Sequence, residues 1–170
     1  MRILIIAALI FINFVLSTTW PVHIFGITAN TSIVLIVSFA ILRYETEGAT
    51  IGFFVGLLHD VFFGTVLGFN ALLYTLIGYF SGKPFKQFYA ENYVLPIILV
   101  AISTFSFNIV YYIVNFLFRA RLDFFYYLLT IILPTTLFNV VVTLPLYIVI
   151  YLINSRLVNR ENKNRKIFGE

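Results

Sequence analysis

The feature that most constrains this chain is a succession of six apolar segments separated by short polar breaks. They cover about residues 3–20, 27–42, 49–63, 69–80, 93–118 and 124–153. A helix of roughly 20 apolar residues crosses the ~30 Å hydrocarbon core of a bilayer. The composition agrees: 61% of the residues are hydrophobic and 11% are charged, with a mean hydropathy of +1.00. A soluble domain carries about 25% charged residues. The expected architecture is an all-α polytopic membrane protein. One domain of six transmembrane helices fills 1–153 and a basic cytoplasmic tail fills 154–170, leaving no room for a soluble catalytic domain.

Charge sets the expected orientation. With six crossings and both termini in the cytoplasm, the inside holds Arg2, Arg43, Lys83, Lys86, Arg156, Arg160, Lys163, Arg165 and Lys166, nine of the eleven Lys and Arg residues. Arg119 and Arg121, beside Asp123, remain outside. This is a strong positive-inside bias, which an odd number of spans would spoil. It also accounts for the pI of about 9.4 without nucleic acid. The first apolar run closes in Ser17, Thr18, Thr19, Trp20 and Pro21 with no small-x-small cleavage pattern. It therefore reads as a retained span with Trp20 at the interface. The third and fourth segments are short for full spans. They form either two short antiparallel helices that thin the bilayer locally or a re-entrant hairpin; both return the chain to the same side.

Asp60 lies inside the third segment, within the series Gly48, Gly52, Gly56, Asp60, Gly64, Gly68. Residues four apart share a helix face, so the acid sits on a smooth glycine face that another helix can approach. An ionisable group at the centre of a span costs about 2.5–3.5 kcal/mol on the insertion scale, so it is expected to face inward and be partnered. Three roles are open to it: structural anchoring as a helix-end carboxylate near the outer interface, hydrogen-bonded to nearby backbone or to Asn70; contact with a partner or ligand; and proton or ion movement. His59 points about 100° away and is expected at a wet edge. Asn70, Tyr74, Gly78 and Gly82 repeat every four residues in the fourth segment, and Asn70 is a natural hydrogen-bond partner for Asp60 across the 64–68 turn. Asn108, Asn115 and Asn139 read as interhelical glue or as the lining of a cavity. Pro96 falls in the first turn of the fifth segment, and Pro134 and Pro145 are expected to bend the sixth. In the tail, Arg156, Arg160, Lys163, Arg165 and Lys166 are candidates for contact with anionic lipid or a cytoplasmic partner.

Several chemistries are excluded. The chain has no cysteine, and His23 and His59 are too few for a histidine zinc cage. There is no phosphate-binding loop, nucleophile elbow or HExxH. Asp60 is the only acid well inside a segment, too little for a lipid-modifying enzyme. No catalytic activity, cofactor or metal is expected.

The stretch Gly52-Phe-Phe-Val-Gly56-Leu-Leu-His-Asp60-Val-Phe-Phe-Gly64-Thr-Val-Leu-Gly68-Phe-Asn70-Ala71-Leu72 resembles the rod shape-determining MreD family. The likeness covers the whole chain as architecture and about 52–82 as a motif. It implies a non-enzymatic membrane scaffold of the cell-elongation machinery, in the bacterial inner membrane. The implied partners are an MreC-like bitopic protein and, beyond it, MreB, RodA and a class B penicillin-binding protein; homo-oligomers are compatible with it. That family is similar in fold to the substrate-binding S-components of energy-coupling-factor vitamin transporters, which makes such a component the alternative. S-components dock through an A-x-x-x-A face in the first helix. This chain has Ala7-Ala8 there without that pattern.

Overall fold

The computed structural model of the chain describes residues 2–19, 23–24, 27–28, 30–64, 66–83, 94–119 and 124–168. Trp20, Lys86, Arg121 and Asp123, which carry part of the orientation argument, lie outside them. Apart from short turns, the described residues are helical except for a small antiparallel ladder of two-residue strands, in which β1 (His23–Ile24) pairs with β2 (Ile27–Thr28). The helices are α1 (Arg2–Thr19), α2 (Thr31–Arg43), α3 (Glu45–Phe63), α4 (Phe69–Gly82) and α5 (Val94–Arg119). A last rod follows, made of α6 (Phe124–Tyr127), a π-helical segment (Leu128–Ile132) and α7 (Leu133–Phe168). These are six helical rods. Two of them, over Val94–Val114 and Phe124–Val158, are long and apolar enough to cross a membrane.

The centre of the molecule is α2. Every residue from Ser32 to Arg43 is buried, and α2 touches α1, α3, α4, α5 and α7. A helix that is apolar all round belongs in a core. Its 13 residues span only about 20 Å, and other helices of the chain enclose it. Irregular backbone at membrane depth is tolerated where protein surrounds it, and both ends of α2 are held by polar side chains. At the start, Asn30 is the N-cap and accepts from the Ile33 N–H at 3.4 Å. The Asn30 N–H donates to Asn139 Oδ1 on α7 at 2.9 Å, and its amide donates to the Tyr74 hydroxyl on α4 at 2.9 Å. Asn139, fully buried, donates on to Thr104 Oγ1 on α5 at 3.0 Å. At the other end, buried Arg43 donates through Nε to Asn154 Oδ1 on α7 at 2.5 Å.

Two boundaries differ from expectation. The second segment starts as helix at Thr31 rather than near residue 27, because Asn30 caps it. The third starts at Glu45, ahead of residue 49: the polar break shrinks to a single residue, Tyr44. Glu45 and Glu47 then occupy the first turn of α3, where the helix dipole favours acids. Tyr44 makes the sharp corner with φ 101° and ψ 162°, a region that costs a non-glycine residue about 1–3 kcal/mol. The helix of the sixth segment runs on to Phe168 without a break at residue 154. Its irregularity is the π-helical segment just before Pro134, which lacks the N–H that an α-turn would return to Thr130. Pro96 sits in the first turn of α5 and Pro145 inside α7.

The Asn139 node is testable. Asn139→Leu strips a partner from both Asn30 and Thr104 and is expected to cost about 1–3 kcal/mol. Thr104→Val loses one bond and should cost less. In a double-mutant cycle of detergent unfolding the pair should couple by about 0.6 kcal/mol. Strictly additive losses would show that the Asn139–Thr104 bond adds nothing.

Candidate functional site

The glycine–aspartate series lies in the antiparallel α3–α4 hairpin, the most closely packed helix pair of the molecule. Gly48, Gly52 and Gly56 are buried on one face of α3. An added β-carbon would come closer than 3.0 Å to Gly78 O from Gly48, to Tyr74 O from Gly52, and to the Ala71 backbone from Gly56. Gly82 of α4 lies in the same way against Glu45. The two backbones therefore touch along the whole hairpin, as small residues permit. The glycine face is occupied by α4.

Gly64 and Gly68 do not continue that face. α3 ends at Phe63, and both glycines belong to the exposed connection. Gly64 closes α3, its N–H donating to Asp60 O at 3.0 Å. Gly68 is the N-cap of α4 in the left-handed region, with φ 92° and open space around its Cα. At Gly68, conformation demands glycine, whereas crowding demands it at Gly52. The four-residue spacing runs on past the helix only because hairpin and turn happen to share it.

Asp60 is 2% exposed. Its Oδ2 accepts from the Gly68 N–H and the Ala71 N–H, both at 3.0 Å, and its Oδ1 accepts from the Asn70 N–H at 3.1 Å. These are N–H groups of the N-cap and first turn of α4, which have no partner within that helix. A glycine at the N-cap supplies no side-chain oxygen, so Asp60 caps the helix from α3. Its negative charge also lies at the positive end of the α4 dipole. Asn70 meets Asp60 through its backbone. The carboxylate is satisfied from both oxygens, and what it does chemically is hold a turn closed.

His59 does not sit at a wet edge. It is half-buried, with Nε2 3.0 Å from Ser32 Oγ, and Ser32 donates to Asn13 Oδ1 of α1 at 3.1 Å. With that hydroxyl proton engaged, His59 donates through Nε2. Phe14 and Tyr74 meet its ring edge-on, each at 5.8 Å between centroids. His59 thus ties α3 to α1 and α2. Neither Asn30 nor Ser32 stood out in the sequence, although Asn30-Thr31-Ser32 ahead of an apolar run is a helix-start signal.

The other candidates lie apart from this site. Asn108 donates to Thr104 O within α5 at 2.9 Å, and the Asn115 side chain lies outside the described residues. Arg156 is exposed on α7 near the Arg43 end of the bundle. Arg160, Lys163, Arg165 and Lys166 also fall on α7, with side chains outside the described residues. No group of three or more His, Cys, Asp or Glu that could hold a metal ion occurs among the described residues.

Comparison with known proteins adds one finding. The family model described as rod shape-determining protein MreD matches residues 1–156. No curated protein and no solved structure matches the chain.

Two predictions follow from the hairpin geometry. Asp60→Ala leaves three N–H groups without an acceptor and, at about 1–3 kcal/mol for each one that stays unsatisfied, is expected to cost about 3 kcal/mol or more. Hydrogen exchange at Gly68, Asn70 and Ala71 should rise at least tenfold while exchange within α2 holds; unchanged exchange at those amides would refute the capping role. The two kinds of glycine should also separate. Gly68→Asn keeps most of the thermal stability, because Asn tolerates the left-handed region. Gly52→Asn, with no space at any conformation, should lower the midpoint sharply. Equal losses would mean that close packing does not set the need for Gly52.

Proposed function

Because the chain belongs to the family of the rod shape-determining protein MreD, we propose that it is a non-enzymatic membrane scaffold of the cell-elongation machinery, maintaining cell shape by binding an MreC-like bitopic protein and cell-wall synthase partners. The family is one of membrane proteins that take part in rod-shape determination and is not a known enzyme family. The observation that carries the scaffold reading is the use made of Asp60. It is the one acid deep in an apolar helix, and both its oxygens are spent on backbone N–H groups of the same chain. A group held that way by three main-chain donors fixes the start of α4 against the end of α3.

The proposed setting is the bacterial inner membrane, with six crossings and both termini in the cytoplasm. Arg43, Lys83 and Arg156 support that orientation, because they gather at one end of the bundle. Arg43 bonds Asn154, two residues from Arg156, and Gly82, next to Lys83, packs on Glu45. Partner contact belongs on faces other than the glycine face, which α4 fills. RodA, a class B penicillin-binding protein and MreB complete the proposed partner set.

Affinity capture of the detergent-solubilised full chain from its native cells, read by mass spectrometry, tests this. Recovery of an MreC-like protein with cell-wall synthases is the expected outcome. Repeated recovery of the chain without any protein of the elongation machinery, under conditions that hold other membrane complexes together, would overturn it.

A further inference from the structure

Helices α4 and α5 part on the outside of the bundle and leave an open groove of about 330 Å³. Its rims, Leu76 and Phe80 on α4 and Ile102 and Val110 on α5, are apolar and exposed. Ser106 sets an exposed hydroxyl between them. On α4 the groove runs from Leu73 to Phe80, about 10 Å at the helical rise. That is less than the ~15 Å depth of one hydrocarbon leaflet. The groove would cover only about a third of the ~30 Å that a spanning helix crosses, whereas a flexible apolar chain can bend into it along part of its length.

A second observation lies at the mouth. Lys83 caps α4 and is exposed, and its ammonium sits 4.7 Å from the Tyr79 ring centroid and 5.1 Å from that of Phe80. Phe80 is thus both a wall of the groove and part of the cradle of a cation. A basic side chain at the surface end of an apolar slot matches a molecule with an anionic head and an apolar tail.

We propose that the α4–α5 groove binds one acyl chain of an anionic phospholipid from the leaflet on the Lys83 side, with Lys83 pairing the phosphate. The inference rests on the membrane setting and is independent of which proteins the chain binds.

The full chain in phosphatidylcholine nanodiscs, doped with phosphatidylglycerol carrying a mid-chain diazirine, provides the test. Cross-links should concentrate on α4 and α5 and exceed those of the matching phosphatidylcholine probe by about fivefold, as one lysine near the surface allows. Lys83→Gln should abolish that preference while leaving labelling in place. Ser106→Trp, which fills the slot from an exposed position, should remove the labelling of α4 and α5. Ile113→Trp, on α5 beyond the groove, should leave it unchanged, and Ile102→Trp repeats the blocking test should Ser106→Trp fail to fold. Labelling spread evenly over the exposed helices, labelling indifferent to both blocking variants, equal capture of the two probes, or cross-links from the groove to a second copy of the chain would each overturn the proposal.

Discussion

The α4 helix begins where its first N–H groups have neither a preceding helical turn nor a side-chain cap of their own, and the Asp60 carboxylate on α3 is what satisfies them. Asp60 itself is buried, and a backbone N–H left without an acceptor beside it costs about 1–3 kcal/mol. Three donors aimed at two oxygens from 3.0–3.1 Å make the cheapest route out of that penalty. The rest of the hairpin is consistent with this closure. Once the turn is closed, α4 must run back along α3, and the two backbones can meet only where Gly48, Gly52 and Gly56 remove the side chains between them.

The hairpin in turn lets α2 be short. A 13-residue helix cannot cross a bilayer on its own. Enclosed by α1, α3, α4, α5 and α7, it does not need to. Its ends are tied to Asn139 and Tyr74 on one side and to Asn154 on the other, so its terminal groups find protein where a lipid-facing helix would find none. The strained Tyr44 corner fits the same logic. Joining α2 to α3 through one residue keeps Glu45 at the start of a helix, against the end of α4 at Gly82, and packing of the whole α3–α4 pair offsets the local cost.

Much of this was legible in the sequence, for reasons that also explain what was not. The apolar runs located all six rods, because burial in lipid or in a wholly apolar core selects the same residues. The Gly48–Asp60 face was readable from a spacing of four. Gly64 and Gly68 keep the same spacing but fall in the connection where the apolar runs break, and the break, not the spacing, marks them as a turn. The start of α3 at Glu45 was hidden because a charged break looks like a loop, although acids also suit the first turn of a helix. His59 was misplaced for a different reason: its angle off the glycine face was right, but the ring finds Ser32, Phe14 and Tyr74 there, on helices whose positions no local pattern encodes. The Asn30–Asn139–Thr104 chain joins residues far apart in sequence and was equally out of reach.

These placements bear on what kind of membrane protein this is. A proton relay or ion site needs an acid whose lone pairs are shared with a mobile species, and an intramembrane acid is by default suspected of that. Here the default fails on geometry. The donors on Asp60 are main-chain N–H groups of the N-cap and first turn of a helix, which give up no proton, so drawing the carboxylate away from them would loosen the start of α4. The buried amides are spent in the same way, with Asn139 and Asn30 each committed to another helix. Asp60, Asn30, Asn139 and Thr104 are engaged in holding the bundle together, and outward faces are left apolar: Phe53, Phe54, Val61 and Phe62 on α3, and Leu72, Leu76 and Phe80 on α4. A rigid interior with an apolar exterior is what recognition within the plane of a membrane requires, and it is the physical basis for reading a shape-determining member of this family as a scaffold.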